Sequence, residues 1–157
     1  MVRLRAAAIA DVLGALSLVA WIGGHEALGA FAARIAFQEL PRPLAAQMMT
    51  RVFHEFGVVV IFPAIAALLV AALLGVWARP ARLASQLRLG LELGLCALGV
   101  FELGYVHPAI EGLYAAGRTL EPAFAAMHRL SERCGHAELL LALAILVARR
   151  WPETKTA

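Results

Sequence analysis

At 157 residues the chain has room for one compact unit and no more. Hydrophobic residues make up 62% and charged residues only 16%, which excludes an ordinary soluble domain, typically about half apolar and a quarter charged. The formal net charge of +3 sits on arginines beside long apolar runs, so the positive-inside rule accounts for it and no nucleic-acid partner is implied.

A bilayer core about 30 Å thick takes roughly 20 mostly apolar residues in a helix. Four segments meet that length, over residues 8–37, 53–78, 89–107 and 122–147. The predicted fold is all-α, an integral membrane four-helix bundle, with residues 1–157 forming a single transmembrane domain. The start, Met1 to Arg5, resembles the charged region of a leader. The apolar run after it is longer than the usual 7–15 residues, and Asp11 interrupts its start, so it reads as a span. Ala10 with Gly14 and Gly23 with Ala27 offer small-residue contact faces.

A Leu40-Pro41 turn follows, then a loop that holds Met48 and Met49. In the second span Ala67, Ala71 and Gly75 form another small-residue face, and Pro63 predicts a kink. The Arg79-Pro80-Ala81-Arg82 turn ends that helix. The third span carries Glu102 and closes at His107. On the fourth, Met127, His128, Ser131, Cys134 and Glu138 fall on one stripe, with His136 pointing away. Asp11, Gly14, Trp21 and His25 share a face of the first, and the two stripes can meet. Ionisable groups in hydrocarbon cost several kcal/mol unless paired, so Glu102 and Glu138 are expected to face the interior.

Arg3, Arg5, Arg79, Arg82, Arg88, Arg149, Arg150 and Lys155 fall on one side if the spans number four. That side is the cytoplasm, with both termini in it, and the membrane is the inner one. His25, His54, His107 and His128 then lie in the outer half, and most acidic residues share that bias. Imidazole suits copper, zinc and haem iron. His128 is the first expected metal ligand and His25 the next, with His54 and His107 in reserve. Glu138, Ser131 and Glu102 would orient them. The rival reading leaves the histidines half-wet at the interface, and a His–Glu chain also suits proton traffic. Cys96 and Cys134 read as small buried hydrophobes, a disulfide or metal pair being the alternative.

Several short motifs resemble a known family. They are Trp21-Ile22-Gly23-Gly24, the Leu40-Pro41 turn, Phe62-Pro63, Tyr105-Val106-His107-Pro108 and Phe124 followed by Met127-His128-Arg129-Leu130-Ser131. Their order is similar to that of the domain-of-unknown-function 4149 family, relatives of transmembrane protein 205, from about residue 8 to 147. Trp21, Gly23, Pro108, His128 and Ser131 are the family-like positions; His107 and His25 depart from the pattern. The resemblance implies a four-span bundle. A more distant likeness to copper-resistance protein D and to bacterial membrane protoporphyrinogen oxidases implies copper or haem as cofactor.

The expected function is metal or haem binding, or transport, through the outer histidines. The alternative is a non-catalytic accessory or structural subunit of a larger membrane complex, or a homo-oligomer in the lipid bilayer. No nucleophile elbow, phosphate loop or haem-attachment motif points to an enzyme.

Overall fold

The computed structural model describes residues 1–78 and 83–150, Arg150 by its backbone alone. Arg79, Arg82 and Lys155, used above for orientation, lie outside the described residues, as does the Arg79–Arg82 turn. Four long helical rods make up the rest: α1, Val2–Glu39; α2, Arg42–Ala78; α3, Leu83–Ala115; and α4, Pro122–Arg150. No strand occurs among the described residues. The α1–α2 and α3–α4 connections mark one end of the bundle, here the loop end. Val2, Ala78, Leu83 and Arg149 mark the other, the terminal end.

The rods are longer than the apolar runs that seed them. Pro41 breaks α1 and pushes Leu40 into extended backbone (φ −113°, ψ 151°). The helix restarts at once, because Pro43 occupies a first-turn position where its missing N–H costs nothing. The loop expected around Met48 and Met49 is therefore helix Arg42–Phe56, and Met49 packs with Ala36 and Ala45 between α1 and α2. Likewise α3 runs past His107 to Ala115. There Gly117 takes φ 69°, with Gly117 N–H on Tyr114 O (3.0 Å) and Arg118 N–H on Leu113 O (2.9 Å), a glycine-capped helix end. In the loop after it, Arg118 holds the exposed Glu121 carboxyl below the usual carboxylate range through two 2.7 Å hydrogen bonds.

Three rods contain a π-helical stretch: Ala27–Ala33 in α1, Gly57–Ile61 in α2 and Glu102–Val106 in α3. Two of them end just ahead of a proline, Pro63 and Pro108. A proline strands the carbonyl four residues back, and a wider turn re-registers the backbone around that gap. Pro63 thus acts through a local change of helix type.

Three of the rods, α1, α2 and α3, are long and apolar enough to cross a membrane, not four. The shortfall in α4 has a plain cause. Arg129, Glu132 and Arg133 load its first turns, leaving residues 134–148 as its apolar stretch, about 22 Å of helix against a core of about 30 Å. The outward faces of the rods are nonetheless apolar: Leu16, Val19, Phe62, Leu73, Leu140 and Val147 are all exposed.

The core is centred on Leu18, Trp21, Ile65, Leu68, Leu95 and Ile145, which meet from all four rods. Helix α1 lies closest along the second half of α2. Ala10, Gly14, Ala71 and Gly75 are buried as the small-residue reading expects, but Gly23 and Ala27 face outward. Cys96 and Cys134 are free thiols, both buried.

Candidate functional site: a buried His–Glu centre

Four polar side chains sink into this apolar interior: Ser17, Glu92, Glu102 and Glu138, none more than 7% exposed. Ser17 is satisfied within its own helix, donating to Leu13 O at 2.9 Å. The three carboxyls define two separate networks.

The first joins α1, α3 and α4 toward the loop end. Trp21 Nε1 donates to Glu138 Oε2 at 2.8 Å, and His25 Nε2 lies 3.3 Å from the same oxygen. His25 Nδ1 faces Trp21 O at 3.0 Å. A carbonyl only accepts, so Nδ1 carries the hydrogen there. The ring is pinned further by Phe56, edge-on at 5.6 Å between centroids. Gly24 makes that possible, since a Cβ there would collide with the Phe56 ring. Glu102 receives Ser131 Oγ–H at 2.6 Å and has His107 Nε2 at 3.4 Å. One ligand atom each from His25, Glu102 and Glu138 lies within 4.8 Å of the others. Glu138 Oε1 is buried without a hydrogen-bond partner.

The second network closes the terminal end. Arg149 turns inward, donating through Nη2 to Glu92 Oε1 at 2.8 Å and through Nη1 to Asp11 O at 3.0 Å. Arg88 stands 3.8 Å from Glu92 and 3.9 Å from Asp11. The Arg149 guanidinium occupies the space where a side chain at Gly14 would begin. Gly14 is therefore small for an arginine, not for helix–helix contact alone.

The sequence-based ligand ranking is redistributed. His25 is in the centre. His107 touches it through Glu102. His128 is exposed, stacked on Phe124 with Glu132 at 3.6 Å, and His54 pairs with Glu111 at 3.1 Å in an exposed setting. The fold brings neither to His25. Glu102 and Glu138, expected to orient histidines, are themselves the inner donors, and Ser131 keeps the orienting role. Trp21 stood out only as family-like, and the Glu92–Arg149 pair gave no signal at all. Positions 57 apart on different helices share no local pattern.

Copper and haem can be weighed against this donor set. A haem iron on His25 Nε2 would place the macrocycle where Glu138 and Trp21 stand, so haem does not fit. Cu(I) favours thiolate and thioether donors, and neither Cys134 nor Met127 joins the centre. Two carboxyls and an imidazole fit a divalent ion of borderline or hard character.

No curated protein and no solved structure matches the chain. Residues 16–119, from α1 through α3, match the family described as domain of unknown function (DUF4149). That stretch includes Trp21, His25, Glu102 and His107 and stops short of Ser131 and Glu138. By this match over well more than half its length, the chain belongs to the DUF4149 family.

Proposed function

We propose that this is a four-span protein of the inner membrane, both termini cytoplasmic, that binds a divalent metal ion between His25, Glu102 and Glu138. One observation supports the metal reading above the rest. With Nδ1–H given to Trp21 O, a neutral His25 turns the lone pair of Nε2 toward a carboxylate oxygen 3.3 Å away. Two lone pairs at that distance, inside an apolar core, need a positive particle between them.

A proton would satisfy His25 and Glu138. It leaves Glu138 Oε1 without a partner and gives no role to the nearness of Glu102. A metal ion with bonds of about 2.1 Å holds tetrahedral ligand atoms about 3.4 Å apart, close to the His25–Glu138 spacing. Rotation of Glu102 then completes a three-ligand site with an open position. The Trp21 carbonyl on His25 and the Ser131 hydroxyl on Glu102 are the outer groups such a site uses to aim its ligands. Zn²⁺, Cu²⁺, Fe²⁺ and Mn²⁺ suit these donors.

The test is calorimetric titration of metal-stripped protein with Zn²⁺ and Cu²⁺, backed by elemental analysis of the protein as purified. Wild type is expected to bind one ion, Glu138→Gln none, and His128→Ala one ion as in wild type. Metal-free wild type that takes up neither ion, or Glu138→Gln with undiminished affinity, would refute the metal reading and favour a structural subunit.

A further inference from the structure

A second feature lies outside the buried centre, between α2 and α3. Two rows at four-residue spacing face each other across a cavity of about 350 Å³: His54, Val58 and Phe62 on α2, and Leu103, His107 and Glu111 on α3. The helices run antiparallel, so His54 meets Glu111 (3.1 Å) at the loop end, while Phe62 and Leu103 lie at the deep end. Each row rises about 12 Å. Both walls carry a π-helical stretch at this level, and Gly57 and Pro108 complete the lining.

The cavity opens sideways. Val58 and Phe62 are 57% and 65% exposed on a rod long and apolar enough to cross a membrane, so lipid meets them, not water. Polarity falls along its length, from imidazole and carboxylate to aromatic and aliphatic. An amphiphile in one leaflet has the same gradient. The volume is within the usual range of small-molecule sites, about 300–1,000 Å³.

Charge narrows the head group. His54 is matched by Glu111 and His107 by Glu102. A phosphate or fatty-acid head would face the Glu111 carboxylate, and a cationic head would face two imidazoles. A neutral head with carbonyl oxygens meets neither penalty. Imidazole N–H groups donate to carbonyls, and the imidazole rings and Phe62 offer faces and edges to a planar ring.

We propose that this groove binds a lipid-soluble quinone, its ring carbonyls toward His107 and His54 and its tail along Phe62 and Leu103 into the bilayer. The argument stands apart from the metal site.

The experiment titrates the full chain, in phosphatidylcholine nanodiscs, with decylubiquinone, using empty discs as the blank. Saturable one-to-one binding is expected. Val58→Trp fills the groove from a lipid-exposed position that folding tolerates, and it should weaken binding about tenfold, as should His107→Leu. His107→Gln keeps an N–H donor and should stay within about threefold of wild type. Uptake no greater than by empty discs, or Val58→Trp binding like wild type, would overturn the proposal. Equal displacement by monoolein would overturn it too, by showing a general neutral-lipid groove. The metal stoichiometry of Val58→Trp should remain that of wild type, which separates this outcome from the fate of the metal site.

Discussion

Trp21 and Glu138 are 117 residues apart, yet the indole N–H meets the carboxylate at 2.8 Å with both side chains buried. The bond ties the first rod to the last in the middle of the bundle. Gly99 leaves room for it, because a Cβ there would stand 2.8 Å from Trp21 Cη2.

Trp21→Phe keeps most of the ring and removes the donor. A buried carboxylate oxygen then loses its shortest bond, at an expected cost of about 1–3 kcal/mol. Denaturant unfolding in detergent measures it. An unchanged midpoint would mean that the His25 contact alone holds Glu138.

Gly14→Ala should displace the Arg149 guanidinium and with it the Glu92 pair. Breaking a buried pair from one side costs about 3–5 kcal/mol, because the remaining charge is stranded. Glu92→Gln and Arg149→Met together should therefore cost less than the sum of the single changes, with a coupling of about 0.5–3 kcal/mol in a double-mutant cycle. Additive losses would show that the two side chains do not depend on each other.

Cys96 and Cys134 are each 5% exposed. A membrane-impermeant maleimide should label neither in the folded protein and both after unfolding. Rapid labelling of Cys134 in the native state would mean that α4 separates from the bundle.

The proposed topology has an equally direct test. Four spans put reporters fused to the two termini on the same side of the membrane. Three spans, with α4 lying along the surface, put them on opposite sides. Arg149 bonded to α1 and α3 favours the first outcome, since it draws the end of α4 into the bundle.

Much of this arrangement was legible in the residues. Long apolar runs are the direct record of lipid as solvent, so the helical class and the positions of the rods followed from them. The cost of burying charge correctly sent Glu102 and Glu138 inward, and the stripes on the first and fourth helices do meet, at Trp21, His25 and Glu138. His128 was misjudged because a helical wheel gives direction but not depth. Two turns separate it from Cys134, and over that length α4 leaves the bundle interior. The Arg42–Phe56 helix escaped notice because Pro41 and Pro43 look like a loop, although together they stop one helix and start the next.

The three π-helical stretches carry a consequence of their own. Each wide turn takes up an extra residue, and one added residue rotates the remainder of the helix by about 100°. The two halves of α1, α2 and α3 are thus set to different angular references, like short bundles spliced end to end. Gly23 and Ala27 mark the splice in α1: spaced as a contact face, they point outward where the phase changes. Removing one residue from a splice would leave the terminal-end half in register while turning its loop-end half onto another face. The molecule can thereby vary the surface around its histidines without disturbing the Arg149 clasp beneath.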